Sequence, residues 1–274
     1  MIVIVTDSSA CMTRAEADVL GIRVVPMTYY ADGRTLYNES YMDENGQYEA
    51  LIERSGDRLR TSQATMSAFL SAFDELISEG HEVLCLTISS RLSGTYGNAL
   101  MAARALNSRG VAVVDSLTTG AGHYMLAREA RRMLDVGLTL GQTAAKLKEL
   151  RARVRTVFSV DDMMPLRRSG RLGSVRLSVS TILNIKPLLT CADGGVVSAG
   201  TARGRNEQLR ALVSAVGDRP GALIVQHFMA EGAARALEGR LAAAGHSVVT
   251  RKIGPVLGIH LGRGLLGVAW IEDA

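Results

Sequence analysis

The segment Val83–Ala99, VLCLTISSRLSGTYGNA, runs from an apolar stretch through a loop of small hydroxylated residues into the start of a helix. Val83–Ile88 reads as a buried strand. The same unit occurs twice more. Ile2–Thr6 leads through Asp7-Ser8-Ser9 to a helical stretch from Thr13 to Leu20, and Val111–Val114 leads through Asp115–Gly120 to a long helix ending near Val136. Repeated strand–loop–helix units imply a parallel sheet covered by helices on both faces. In such sheets ligands gather beyond the carboxyl ends of the strands. That is where Ser89, Ser90, Ser93, Gly94 and Thr95 fall. Free N–H groups and the positive end of a helix dipole make the place receptive to an anion, and hydroxyls complete the shell without adding charge.

The rest of the first half fits this pattern. Arg23–Tyr30 reads as a strand, Asp32-Gly33 as a turn, Arg34–Asn38 as a further strand and Glu44–Arg54 as a helix. Phe69, Leu70, Phe73, Leu76 and Ile77 share one face of a helix from about Thr65 to Glu79. The helix after Ser93 runs on through Ser108, and another spans Thr139 to about Ala152. Near Arg151 the texture changes. A strand at Thr156–Val160 is followed by an irregular stretch, Asp161–Gly173, and a helix from about Ser174 to Leu183. Ile185–Leu189 and Val196–Ala199 flank the hairpin signature Ala192-Asp193-Gly194-Gly195. Helices near Arg205–Val216 and Glu231–Ala243 alternate with strands Ala222–Gln226, Ser247–Arg251 and Leu265–Ile271. The reading is α/β, with an N-terminal α/β/α domain (residues 1–153) on a mainly parallel sheet. A C-terminal α+β domain (154–274) with a mixed sheet follows, and a cleft lies between the two.

Composition narrows the function classes. Aromatic residues make up 4% of the 274 residues and the formal net charge is +4, which argues against nucleic-acid binding through a basic, stacking surface. The three cysteines, Cys11, Cys85 and Cys191, have no metal-ligand spacing and suit a reducing cytoplasm. The N-terminus lacks the features of a signal peptide, and no apolar run is long enough to span a bilayer. His81, His123, His227 and His246 have no companions at metal-ligand spacing and read as structural.

Each candidate site residue has a plainer reading beside its functional one. Thr61-Ser62-Gln63 reads as the N-cap of the helix beginning near Thr65, or as a second set of hydroxyl donors aimed at the same anion as Ser93. Ser93-Gly94-Thr95 carries the same two readings, with Gly94 admitting close backbone approach. As a nucleophile Ser93 lacks a GxSxG elbow and a nearby His or acid in sequence. Gly254–Gly267, GPVLGIHLGRGLLG, holds five glycines and His260. His260 is either structural or a hydrogen-bond donor to a carboxylate. Asp7 is a general base, a metal ligand or an orienting residue for loop hydroxyls. Asp161-Asp162 and the run Arg167–Arg171 read as solvated, or as cation- and phosphate-binding groups.

Taken together, the segments resemble the DegV family, the fatty-acid-binding components of bacterial fatty acid kinase. The motifs are IVTDSSACM (Ile2–Met12), TSQ (Thr61–Gln63), ISSRLSGTY (Ile88–Tyr96) and VVDSLTTGAG (Val113–Gly122). LRRSGRL (Leu166–Leu172), LNIKPLLTCADG (Leu183–Gly194) and GPVLGIHLGRG (Gly254–Gly264) follow in the family's order. The resemblance implies a long-chain fatty acid held between the domains and no other cofactor. It implies that Thr61, Ser62, Ser93 and the Gly94 backbone hold the carboxylate, that His260 matches the family's histidine, and that Arg171 faces the kinase catalytic subunit or the acyl phosphate. Transient contact with a membrane surface and the absence of catalytic machinery belong to the same expectation. Three positions depart from the family pattern: Ala64, Ile259 and Arg263. The competing reading is an enzyme, either a serine hydrolase using Ser93 and His260 or a phosphoryl-transfer enzyme using the anion loops.

Overall fold

The computed structural model describes residues 1–31, 35–107, 110–172, 184–218 and 221–273. The first half runs β1 (Ile2–Asp7), α1 (Arg14–Leu20), β2 (Ile22–Val25), β3 (Met27–Ala31), β4 (Thr35–Glu39), α2 (Tyr48–Ser55) and β5 (Arg60–Ser62). It continues through α3 (Met66–Ser78), β6 (Glu82–Thr87), α4 (Thr95–Ala105), β7 (Val111–Asp115), α5 (Ala121–Asp135) and α6 (Leu140–Leu150). The second half runs β8 (Val154–Ser159), α7 (Met164–Ser169), β9 (Ile185–Ala192), β10 (Gly195–Arg203), α8 (Gly204–Val216) and β11 (Ala222–Phe228). It closes with α9 (Glu231–Ala243), β12 (Ser247–Lys252), α10 (Pro255–Leu261) and β13 (Leu265–Ile271).

The fold is α/β, as the repeated units imply. Strands β2-β1-β6-β7 form a parallel sheet, and β10-β9-β8-β13-β11-β12 form a mixed one. The hairpin signature turns at Asp193 and Gly194, both at positive φ, which suits a tight two-residue connection between β9 and β10. The strand read as Arg23–Tyr30 is split, because Pro26 has no N–H to continue a ladder. Its first piece joins the parallel sheet, while β3 forms a separate antiparallel sheet in the order β4-β3-β5. The helix expected from Glu44 starts only at Tyr48, after Gly46 at φ 60°. The helix after Ser93 stops at Ala105. The stretch read as irregular after Asp161 contains α7, opened by Pro165 and closed by Gly170 in the left-handed region. The Asp32-Gly33 turn and the helix from about Ser174 lie outside the described residues.

One core cluster joins the halves. Phe69 and Phe73 of α3, 5.7 Å apart between ring centroids, belong to it together with Phe158, Phe228 and Leu265. Each such side chain contributes roughly 1.5–3 kcal/mol by leaving water. A polar strut reinforces the seam. Arg251 donates to Glu16 and to the Cys11 carbonyl and lies 3.8 Å above the Tyr124 ring centroid. Burial alone would raise the Glu16 carboxyl; the hydrogen bonds from Arg251 and Thr13 outweigh it and bring the group down to about 2.

Candidate functional site

The face of α10 that carries Val256, Leu257, His260 and Leu261 follows the i, i+4 rule, and all four line a cavity of about 320 Å³. That volume lies within the roughly 300–1,000 Å³ of small-molecule sites. Much of the wall is apolar, supplied by residues such as Met27, Ile88, Phe158, Leu166 and Leu265. Gly258 lets the helix lie flat on the mixed sheet: a Cβ there would stand 2.3 Å from the Phe228 ring. The glycine-rich segment is therefore partly helical, and one of its glycines serves a close approach to a ring.

Polar groups collect toward the His260 end. Thr61 lies in β5, paired with Tyr29 of β3, and its hydroxyl is 2.7 Å from His260 Nε2. Burial, and then the Arg171 guanidinium, push the imidazole down to about 4, so it is neutral at neutral pH. A neutral ring has one N–H. With that proton on Nε2 and donated to Thr61 Oγ1, the threonine hydroxyl is free to donate to an anion.

Ser93 stands at the mouth of α4. Its Oγ accepts from the Thr95 N–H at 3.3 Å and lies 2.9 Å from Thr95 Oγ1. Asn98 Nδ2 donates to the Ala64 carbonyl at 2.7 Å, tying α4 to the segment after β5. Arg171 is exposed at the rim and donates to the carbonyls of Leu92 and Ser169. Thr61, Arg171 and His260 also line an outer groove with Pro165, Arg168 and Ile259, so this end of the cavity reaches the surface.

Five of the six residues singled out from sequence, Thr61, Ser62, Ser93, Arg171 and His260, thus line one cavity, with Ser62 the more exposed of the two β5 hydroxyls. Gly94 is not on the wall. A Cβ there would lie 2.3 Å from Gln63 Oε1, so its bare backbone makes room for Gln63, which is on the wall. The capping reading of Thr61-Ser62 is corrected: both are in a strand, and Thr65 caps α3 by accepting from the Ala68 N–H at 3.2 Å. Ser93 bonds to Thr95 and His260 to Thr61, so the nucleophile–base pair of a serine hydrolase is not formed. Of the departures from the family pattern, Ala64 is buried, Ile259 faces the outer groove, and Arg263 pairs with Glu53 at 3.0 Å. Asp161, read as solvated or cation-binding, pairs with Lys186 and Arg205.

Sequence reasoning missed Thr119, Thr156 and Gln226 on the wall. The available signal was a polar residue inside an otherwise apolar strand, as in ALIVQHF (Ala222–Phe228).

The DegV family model ("Uncharacterised protein, DegV family") matches residues 1–273. The chain belongs to the DegV family. A DegV domain-containing protein of Deinococcus radiodurans is 32% identical over 282 residues, covering 98% of this chain and 97% of that protein. The fatty-acid-binding DegV family protein of Thermus thermophilus superposes with a TM-score of 0.88 at 31% identity, covering 99% of each chain. A Thermotoga maritima protein whose structure reveals fatty acid binding function gives 0.87 at 25% identity, also over 99% of each. Among the described residues of this DegV chain, no group of three His, Cys, Asp or Glu side chains is placed to hold a metal ion. No described helix is long and apolar enough to cross a membrane.

Proposed function

We propose that this chain is a carrier for a long-chain fatty acid, bound between its two halves (residues 1–153 and 154–274). The acyl chain lies along the apolar wall. Each methylene removed from water contributes about 0.8 kcal/mol, so the tail supplies affinity and the head group supplies orientation. A carboxylate in such a site needs donors in place of its water. Thr61, Ser62, Ser93 and the Thr61–His260 pair provide them without a buried countercharge. The single observation behind this reading is a mainly apolar cavity whose uncharged donors gather at one end, beside the Arg171 guanidinium at the surface. The fatty acid binding of the Thermus thermophilus relative supports it.

A separate kinase subunit then phosphorylates the presented carboxylate to an acyl phosphate, in the cytoplasm. Arg171 at the rim faces that partner or the new phosphate. Loading and delivery involve transient contact with a membrane surface. Solvent extraction of the purified protein followed by mass spectrometry is the direct test. A stoichiometric fatty acid is the expected result; an empty protein that turns over esters would overturn the carrier reading. Incubation with the kinase subunit, ATP and hydroxylamine should trap the acyl group as a hydroxamate, and its absence would remove the kinase step alone.

A further inference from the structure

Strand β12 is an outer strand of the mixed sheet, paired with β11 on one side. Just beyond it, the Ile253 N–H donates to the His227 carbonyl of β11 at 3.0 Å. Backbone groups of successive strand residues turn to opposite sides within a sheet. Ser247, Val249 and Arg251 therefore direct theirs at β11, and those of Val248, Thr250 and Lys252 point outward. Among the described residues no strand covers them. The open edge borders a groove of about 760 Å³, with β12 from Val249 to Lys252 as one wall and Met42, Asp43 and residues 46–50 in the other. It shares no lining residue with the cavity that holds Thr61 and His260.

Exposed edges are commonly blunted by charged side chains. Here Arg251 is turned to Glu16, and Lys252 lies 3.3 Å from Glu49 and 3.0 Å from Glu231. Both cations are fastened, and the backbone beside them stays open. Val249, 56% exposed, adds an apolar foothold on the same strand. The charges of the groove do not balance. Glu16, Asp43 and Glu49 line it with Arg251 and Lys252. Glu16 and Arg251 cancel, while Lys252 is shared with Glu231 outside the groove. Asp43 accepts from the Arg14 backbone N–H at 2.9 Å and, among the described residues, has no ion-pair partner. The groove is left net negative.

We propose that β12 and this groove form a docking site for an extended segment of a partner protein, one that adds a strand to the sheet and carries a lysine or arginine. Its main chain pairs with Val248, Thr250 and Lys252. Its basic side chain meets Asp43 and Glu49, and an apolar neighbour rests on Val249. The site is independent of the carrier reading above.

The test is fluorescence anisotropy of the full chain with short labelled peptides of alternating threonine and valine, bearing a central lysine or a central glutamate. The lysine peptide should bind about tenfold more tightly than the glutamate peptide, and Asp43→Asn should reduce that preference. Thr250→Pro removes an outward N–H and leaves the ladder to β11 intact. It should weaken the lysine peptide about tenfold, with circular dichroism and fatty acid binding as in wild type. Should that variant fail to fold, backbone N-methylation of the lysine peptide probes the same bonds. If neither peptide binds, or if Thr250→Pro and N-methylation leave the affinity unchanged, the inference is overturned. Equal binding of the two peptides overturns the basic partner. A dimer in light scattering that Thr250→Pro dissociates would put a second copy on the edge and overturn it as well.

Discussion

The loops that follow β1 and β6 leave neighbouring parallel strands at the same sheet edge, and both are rich in short hydroxylated residues. In the loop after β1, Asp7, Ser8 and Ser9 are almost completely buried. Asp7 accepts from the N–H groups of Ser9 and Ile88 at 3.0 and 2.7 Å. Ser8 donates to Glu39 at 2.8 Å and accepts from the Met27 N–H. Ser9 pairs with buried His123. In the loop after β6, Ser89 is engaged in the same inward manner, donating to the Gly194 carbonyl at 2.7 Å, but Ser93 reaches the cavity. Hydroxyls at a strand end therefore mark a site only where the fold has not already used them. The first loop is a brace and the second is an opening.

The contrast gives its largest expected effect at Asp7. Replacement by alanine strands two buried N–H donors and should cost about 3 kcal/mol of stability in urea unfolding, with fatty acid affinity of the folded protein unchanged. A loss below about 1 kcal/mol would remove the distinction between the loops.

Glu39, the partner of Ser8, gives the next effect. Burial lifts its carboxyl from 4.5 to about 8, against the lowering hydrogen bonds of Ser8 and Val256. The folded state thus binds the extra proton between those values. Stability contributed by this group is complete below 4.5 and is lost as pH rises through about 8. The wild-type protein should lose stability steadily across that window. Glu39→Gln should abolish this alkaline loss in melts recorded at a series of pH values. His260 works in the opposite sense and lower down. Its folded value of about 4 lies below the ordinary 6.5, so the unfolded chain binds more protons between them and stability rises with pH there.

Ser93→Ala should leave stability within about 1 kcal/mol of wild type and weaken fatty acid binding about tenfold, or 1.4 kcal/mol, in a displacement assay. An unchanged affinity would make the second loop a brace as well. His260→Ala comes last, with an expected weakening of roughly threefold, because the histidine orients Thr61 rather than carrying a charge to the ligand.

Much of the architecture is legible in the sequence, because strand ends, hydroxyl loops and helix faces are local patterns. Leu265–Ile271 and Glu231–Ala243 match their elements residue for residue. What escapes is decided by distant partners. The strand β5 exists because β3 lies beside it, and its three residues carry no period of their own. Helix α10 is masked by glycines whose reason, such as the Phe228 ring against Gly258, lies some thirty residues earlier in the chain. Nothing next to Glu39 in the chain marks it as buried; Ser8 and the N–H of Val256, both distant in sequence, close over it. The 2.7 Å contact of Thr61 with His260 joins residues 199 apart in the chain and is a product of packing.

Helix α10 is part of the second half by sequence, yet two polar contacts fasten it to the first: Glu39 receives the N–H of Val256 at one end, and Thr61 meets His260 at the other. A clasp of this kind couples gaping to grip. Any motion that draws the halves apart along this helix also parts Thr61 from His260, so a tail cannot be uncovered by that route while its head remains fully held.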